Sequence, residues 1–215
     1  MKKKIVVFAP HPDDETLGCG GTIIKRIHEG YEVILVVITD GRLALSANDG
    51  IESDPSPEEV KIMRREELHK VAKVLGIAPG NLICLDFEDL TVEINEPQIE
   101  KCVKEILCKL KTEEISEIYF PWEHDHHKDH QITSEIVQRS IAELRISASA
   151  YKYSLPPRFL EVHSIAVDIS PFLNRKTQAL KQYKSQTQII SRKQRKPVLQ
   201  KIKRYLKKHE TFIVG

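Results

Sequence analysis

The 215 residues include 33 Lys or Arg and 31 Asp or Glu, which gives a formal net charge of +2. With 40% hydrophobic and 30% charged residues, the composition is that of a globular protein and excludes an intrinsically disordered chain. No run approaches the roughly 20 apolar residues that span a bilayer, and Ile5–Ala9 is too short for a secretory signal. We therefore expect one cytoplasmic domain over residues 1–215.

The hydrophobic pattern alternates between strands and helices over the first two thirds of the chain. Apolar, β-branched runs predict four strands, and stretches with a 3.6-residue apolar period predict four helices. In chain order these are strand Lys4–Ala9, helix Thr16–His28, strand Glu32–Thr39, helix Pro57–Leu75, strand Leu82–Leu85, helix Asn95–Leu110, strand Glu117–Phe120 and helix Asp129–Leu144. Such alternation predicts a Rossmann-like, mostly parallel, doubly wound sheet with helices on both faces.

Two regions depart from this alternation. Residues 40–57 are rich in Gly, Ser, Asn, Asp and Pro, so they predict a long loop of the kind that covers or binds ligands. Beyond the fourth helix, strand-like runs at Ala150–Ser154 and Ser164–Val167 precede two predicted basic helices, Pro171–Lys184 and Lys193–Lys207. We therefore expect an α+β elaboration at the C-terminal end of the fold.

The sequence His-Pro-Asp-Asp-Glu at residues 11–15 directly follows the first predicted strand. Open α/β sheets bind their ligands at the carboxyl ends of the strands. A helix-capping Asp explains one carboxylate, but three successive carboxylates repel one another unless a cation lies nearby. The motif therefore predicts a cation site at this edge of the sheet.

A second polar cluster, Glu-His-Asp-His-His-Lys-Asp-His at residues 123–130, follows the fourth predicted strand and contains four of the nine histidines. His127 and His130 share a helix face if the next helix begins there. The two clusters can meet at one sheet edge, where imidazole and carboxylate groups without thiolates suit zinc. The remaining Asp and His would then serve as base and acid, as in a zinc hydrolase that attacks an amide or ester. The spacing leaves the substrate open.

These motifs resemble those of the LmbE-like, or PIG-L, N-acetylglucosamine deacetylases. The hallmarks of that family are a His-Pro-Asp-Asp segment after the first strand and a later His-x-Asp-His segment, here residues 10–15 and His127–His130. Four further segments are similar to family motifs and extend the resemblance over the whole chain: Thr39–Gly41, Arg64–Gly76, Lys176–Gln186 and Glu210–Phe212.

The resemblance implies a Rossmann-like fold and a zinc-dependent hydrolase that removes the acetyl group from an N-acetylated amino sugar and releases acetate. His11, Asp14 and His130 would bind Zn²⁺ or another divalent metal. Asp13 would be the general base that accepts a proton from water.

Further site residues follow from the same resemblance. His127 would polarise the acetyl carbonyl or protonate the leaving amine, and the carboxylate of Asp129 would orient its ring. Arg64 would contact the sugar or its anionic substituent, and Gln186 would close over the substrate. Trp122 is suited either to stacking on a sugar ring or to packing.

The segment Pro171–Lys208 contains 13 Lys or Arg and no Asp or Glu. The rest of the chain therefore has 20 basic and 31 acidic residues, a balance of −11. The segment is either a solvated basic face or a patch for an anionic substrate or membrane surface. It lacks a recognisable nucleic-acid module, so we expect no nucleic-acid partner. The expected partner is a small-molecule, glycan or lipid-linked amino-sugar substrate, and homo-oligomerisation stays open.

Two alternatives to the deacetylase also stay open. One is a metal-dependent hydrolase of another amide or of a phosphoester, and the other is a non-catalytic basic α/β binding module. The chain has no Gly-x-Gly-x-x-Gly segment, and Gly18, Gly20 and Gly21 lie too far into the first helix to cradle a pyrophosphate. We interpret these glycines as positions of close helix–sheet packing.

Overall fold

The structure is a computed structural model and describes residues 3–45, 55–155, 163–190, 194 and 196–214. These residues form seven strands: β1 (Lys4–Ala9), β2 (Glu32–Thr39), β3 (Leu82–Phe87), β4 (Ile115–Pro121), β5 (Ser149–Tyr153), β6 (Ser164–Asp168) and β7 (His209–Val214). They make one sheet in the order β3-β2-β1-β4-β5-β7-β6. Strands β1 to β5 pair in parallel, whereas β7 is antiparallel to both of its neighbours.

In the described ranges, six α-helices connect or follow these strands: α1 (Asp14–His28), α2 (Pro57–Leu75), α3 (Glu96–Lys109), α4 (Lys128–Glu143), α5 (Leu173–Leu180) and α6 (Lys184–Thr187). Helix α2 begins at a capping box between Ser56 and Glu59 and ends at Gly76, whose left-handed backbone closes the last turn. Across the described ranges, no helix is both long enough and apolar enough to cross a membrane.

Helices cover both faces of the parallel part of the sheet. On one face, Ile5 and Val7 of β1 join a core with α1, α2 and α5. On the other face, Val6 and Phe8 join a core with α3 and α4. The predicted doubly wound α/β fold is therefore confirmed. Because β1 leads to β2 on one side and pairs with β4 on the other, the carboxyl ends of β1 and β4 form the crevice where such sheets bind ligands.

The C-terminal region differs from the prediction. The helix predicted at Lys193–Lys207 is wrong for the described part of that range, where only the single 3₁₀ turn Ile202–Arg204 forms. Pro197 lacks an amide hydrogen and clashes with the preceding helical turn, and the surrounding cations repel one another. Strand β7 was not predicted. Residues 46–54 of the predicted loop lie outside the described residues.

Helix α1 is broken at Cys19, whose φ of −141° and ψ of 19° are not helical. The break leaves amide hydrogens of the second segment without a partner inside the helix. The carboxylate of Glu210, on β7, accepts two of them, from Gly21 at 2.8 Å and from Thr22 at 2.7 Å. A side chain from the last strand thus caps the second half of α1.

On the other side of the break, Lys176 of α5 provides a hydrogen-bond donor for a backbone carbonyl of α1. Its Nζ donates to the carbonyl of Leu17 at 3.0 Å and to Glu210 at 2.7 Å. The side chains of Lys176 and Glu210 are only 1% and 5% exposed, so this is a buried ion pair. Together the two residues stabilise the bend that separates the first turn of α1, which contains Asp14, from the rest of the helix.

Two of the three glycines of α1 confirm the predicted close packing. A Cβ atom on Gly18 would lie 2.6 Å from Cδ2 of Tyr153, and one on Gly21 would lie 2.4 Å from Cδ1 and 2.7 Å from Cβ of Ile169. A Cβ on Gly20 would meet only ordinary contacts, the nearest at 3.4 Å. The absence of a side chain at Gly18 and Gly21 lets α1 approach the sheet.

Gly21→Ala is expected to destabilise the protein by about 1–3 kcal/mol, the usual cost of overpacking a core. Gly80→Ala is the matched control, because a Cβ there would have no neighbour within 4 Å. Urea unfolding should place the control within about 0.5 kcal/mol of the parent protein. Equal stability of the two variants would contradict the close approach of α1 to Ile169.

Glu210→Gln is expected to cost about 3 kcal/mol of unfolding free energy, because it leaves the buried ammonium group of Lys176 without a counter-charge. Glu66→Gln removes one partner of an exposed ion pair with Lys70 and should change stability by about 0.5 kcal/mol at most. Both values can be measured by urea unfolding. A loss below about 1 kcal/mol for Glu210→Gln would show that the ion pair does not hold the bend.

Candidate active site

The two predicted polar clusters meet at the carboxyl edge of the sheet. The loop between β1 and α1 contributes His11 and Asp14, and the first turn of α4 contributes His130. Oδ2 of Asp14 lies 3.0 Å from Nδ1 of His11 and 3.1 Å from Nε2 of His130. All three residues are buried. The structure therefore brings together the three residues expected to bind a metal.

Two more carboxylates contact the opposite side of the His11 ring. Nε2 of His11 lies 3.1 Å from Oδ1 of Asp89 and 3.2 Å from Oδ2 of Asp129. Burial lowers the pKa of His11, but Asp129, Asp14 and Asp89 outweigh it and hold the pKa well above its ordinary value. Burial also lowers the pKa of His130, and attraction to carboxylates, chiefly Asp14, raises it to about 9. The site therefore favours positive charge at its centre.

The donor atoms fit a divalent metal. In the part of the chain that the structure describes, two overlapping groups present ligand atoms within 4.8 Å of one another, namely His11, His127 and His130, and His11, Asp89, His127 and Asp129. Asp14 adjoins both groups through its contacts with the two histidines. Zinc bonds of about 2.1 Å at tetrahedral angles separate ligand atoms by about 3.4 Å, which is close to the distances around Asp14. Oδ1 of Asp89 is buried, and its contact with Nε2 of His11 at 3.1 Å does not have hydrogen-bond geometry, so this carboxylate oxygen is available to a cation.

Asp13 lies beside this group in an unusual backbone conformation, with a φ of 128°. Its Oδ1 is 3.2 Å from Nη2 of Arg64, and its amide donates to Glu15 at 3.0 Å. Burial raises the pKa of Asp13 and the charge of Arg64 opposes this, with a net value of about 7. A carboxyl group of this kind can exchange a proton near neutral pH.

The structure places Arg64 in contact with the backbone of two loops, and its expected contact with the sugar stays a prediction. Its guanidinium is buried and donates to the carbonyl oxygens of Gly41, at 3.0 Å, and of Pro12. A side chain at Gly41, where φ is 64°, would collide with Arg64. Through its two Nη atoms Arg64 therefore joins the loops after β1 and β2 and positions Asp13, whereas its buried Nε has no hydrogen-bond partner among the described residues.

His127 and Asp129 differ from the expected arrangement. The carboxylate of Asp129 contacts His11 and accepts the Leu90 amide hydrogen at 3.0 Å, so it does not orient the His127 ring. Instead, Nδ1 of His127 accepts the backbone N–H of Asp129 at 3.2 Å. Burial and the positive charges on His11 and His130 lower the pKa of His127. The ring is half-buried, with its edge toward His11 at 4.6 Å between centroids.

Gln186 is buried at the start of the C-terminal region. Its Nε2 donates to Oγ of Ser185 at 3.1 Å, and Ser185 donates to Glu67 of α2 at 2.6 Å. Nearby, the Tyr183 hydroxyl donates to Glu15 at 2.6 Å. These contacts fix the segment against α1 and α2, and the expected closure of Gln186 over a substrate stays a prediction. Trp122 is buried against His124, which favours packing over sugar stacking.

Sequence reasoning missed two carboxylates. Asp89 follows β3, whose carboxyl end opens at the same sheet edge, and that position was the available signal. Asp125 accepts the backbone N–H groups of His127 at 3.2 Å and of Leu155 at 3.0 Å, and it lies 3.5 Å from Nδ1 of His130. Asp125 therefore faces the His130 ring as an ion-pair partner without a hydrogen bond to it, a position from which carboxylates often orient metal-binding histidines.

Two known proteins that are similar in sequence to this chain are described as deacetylases. The chain is 32% identical over 132 residues to the diacetylchitobiose deacetylase of Thermococcus kodakarensis, covering 60% of this chain and 45% of that protein. It is 28% identical over 145 residues to a probable N-acetyl-alpha-D-glucosaminyl L-malate deacetylase 2 of Bacillus cereus, covering 67% of this chain and 63% of the relative. The match thus spans less than two thirds of either relative.

A solved structure shares the fold. It is the N,N'-diacetylchitobiose deacetylase from Pyrococcus horikoshii complexed with its inhibitor MPG, with a TM-score of 0.67 and 25% identity over 84% of this chain and 69% of that one. Residues 6–141, more than half of the sequence, match the PIG-L family, described as GlcNAc-PI de-N-acetylase. Both hallmark segments lie inside that match, which confirms the resemblance found in the sequence. This chain belongs to the PIG-L family.

Proposed function

We propose that this protein is a metal-dependent deacetylase that hydrolyses the N-acetyl group of an N-acetylated amino sugar, releasing acetate and a free amine. The observation that carries this proposal is the contact of Asp14 with both His11 and His130, with Asp13 adjacent, in a member of the PIG-L family. The names of the relatives, which are deacetylases of diacetylchitobiose and of N-acetylglucosaminyl malate, support the substrate class.

His11, Asp14 and His130 would hold the metal, which we propose to be Zn²⁺ or a similar divalent ion. This set is preferred to the groups that include Asp89 and Asp129 because Asp14 lies within about 3 Å of both imidazoles. When bound, the ion supplies Lewis acidity, which acidifies water and stabilises negative charge on an acetyl oxygen. Asp125 keeps the His130 ring in position for this role.

Asp13 is the proposed general base. Its pKa of about 7 allows it to accept a proton from water at neutral pH and to release that proton again. Arg64 holds the carboxylate at 3.2 Å and thereby positions it beside Asp14. As the water oxygen bonds to the acetyl carbon, Asp13 takes its proton, and when the carbon–nitrogen bond breaks, the proton passes to the leaving amine.

His127 is the proposed hydrogen-bond donor to the acetyl oxygen. Because its Nδ1 accepts the Asp129 amide hydrogen, a neutral His127 ring must carry its proton on Nε2. The lowered pKa keeps the ring neutral at pH 7. A proton on Nε2 therefore favours the role in which His127 polarises the acetyl carbonyl over the alternative role in which it protonates the leaving amine. The proposed site combines the loop after β1 with α4, and Glu210 of β7 caps the second half of α1, so we propose that residues 1–215 act as one functional domain.

Metal content tests the ligand set. Protein purified without chelator is expected to contain about one divalent ion per chain, and His130→Ala should lose most of it, since it removes one of three ligands. His124→Ala, in the same loop, is the control and should retain the metal. Elemental analysis measures all three proteins. Full metal in His130→Ala would contradict the assignment, and a metal-free parent protein would favour the binding-module alternative.

Substitution of Asp13 and of Asp14 should distinguish the general base from the metal ligand. Asp13→Asn is expected to keep its metal and lose about 10²–10⁴-fold in activity, the usual contribution of a general base, and Asn tolerates positive φ better than most residues. Asp14→Asn should lose metal as well. Glu143→Gln, at the far end of α4, should match the parent.

Activity is measured as acetate released from a panel of N-acetylated amino sugars. Hydrolysis of phosphoesters with no acetate release would replace the proposed reaction by the phosphoesterase alternative. Identical metal contents and activities for Asp13→Asn and Asp14→Asn would contradict the division of roles between them.

A further inference from the structure

A cavity of about 300 Å³ lies next to the candidate site and has no role in the proposed chemistry. Its walls come from the first turns of α1, the end of β5, the middle of β6 and residues 204–211. Its size is at the lower end of the range for small-molecule sites.

One wall of the cavity is formed by residues of α1 that lie close in sequence to Asp14, although the metal-binding residues themselves do not line it. Leu17 and Gly18 line it and follow Asp14 by three and four residues, so the three positions share one face of the first segment of α1. On the opposite wall, Ser154 precedes Leu155, whose amide hydrogen bonds Asp125. The cavity therefore begins about one helical turn from the carboxylate at the centre of the site.

The wall residue Tyr205 gives an independent indication of this proximity. Burial raises the pKa of Tyr205 to about 12, and the negative charges of Asp13 and Asp14 contribute to the shift. A phenol group in the cavity wall is thus within electrostatic reach of the two carboxylates. A molecule bound at the site can extend past this side chain into the cavity.

The cavity is apolar inside and basic at its rim. Leu17, Gly18, Ala166 and the ring of Tyr205 provide a mostly apolar wall. Four of the lining residues are Lys or Arg and one is Glu, a net formal charge of +3 with histidine neutral. The single acid, Glu210, is already paired with the buried Lys176. Arg204, Lys207 and Lys208 are exposed and lie within five residues of one another at the opening.

We propose that this cavity binds the aglycone of the substrate, and that this aglycone is an apolar, preferably aromatic, group with a carboxylate or phosphate at its outer end. The inference rests on the proposed deacetylase function, because the sugar itself must occupy the crevice beside His11 and Asp13. An apolar body matches the wall, and an anion matches the basic rim.

The test uses three N-acetyl-β-D-glucosaminides that differ only in their aglycone: methyl, phenyl and 4-carboxyphenyl. Their dissociation constants are measured by calorimetry with metal-loaded Asp13→Asn protein, so that binding is separated from turnover. Phenyl is expected to bind about tenfold more tightly than methyl because it buries an apolar ring. The carboxylate should add about another tenfold at 0.1 M salt, and this second gain should largely disappear at 1 M salt.

Substitutions at the rim and in the wall of the cavity test whether these residues cause the affinity gains. Arg204→Gln together with Lys208→Gln should abolish the carboxylate gain and leave phenyl binding unchanged. Lys101→Gln together with Lys109→Gln, on α3 across the sheet, should change neither. Ala166→Trp should fill the opening and weaken both aryl glycosides while methyl binding stays the same.

The outcomes for the cavity and for the enzyme are distinguishable. If the three glycosides bind equally, or if the carboxylate gain survives in the Arg204 and Lys208 variant, the cavity proposal is overturned, whether or not the parent protein releases acetate. If the aryl and carboxylate gains appear but no glycoside releases acetate, the deacetylase proposal fails and the cavity remains a site for an anionic aryl group. A 4-phosphophenyl glycoside added to the series distinguishes carboxylate from phosphate recognition.

Discussion

The buried ion pair between Lys176 and Glu210 is the interaction on which the candidate site most depends. It replaces backbone hydrogen bonds that α1 gives up at Cys19, on both sides of the break. The break lets the first turn of α1 direct Asp14 toward the sheet edge while the second segment packs closely through Gly21. Burying two charges costs free energy that their attraction and hydrogen bonds must offset, so the bend is stable only with both partners in place.

Much of the fold could be predicted because the central strands are buried on both faces. Val6, Val7 and Phe8 are all apolar for this reason, and the bounds of β1 and β2 agree with the predicted ones. Strand β7 escaped prediction because His209–Val214 spans only six positions after a basic stretch, and its three polar residues precede its three apolar ones, so it lacks the two-residue alternation typical of a strand. Its place in the sheet depends on pairing with β5 and β6, which no local pattern encodes.

Site residues that cluster in the sequence could be predicted, whereas isolated site residues could not. His11 to Asp14 and His127 to His130 stand out because like charges and imidazoles are crowded together. Asp89 lies in an acidic loop without a neighbouring histidine, and only the sheet order brings it to His11. The burial of Arg64 could not be predicted either, since its partners are carbonyl oxygens of Pro12 and Gly41, which any sequence supplies.

The capping of α1 by β7 has a consequence for how the chain acquires its native structure. Glu210 follows Gly21 by 189 residues, which ribosomes translate in about ten to forty seconds at 5–20 residues per second. During that interval the broken helix lacks the carboxylate that caps its second segment. We therefore expect the carboxylates near the start of the chain to acquire their final geometry only after the last strand has entered the sheet, so that the proposed metal would bind late in folding.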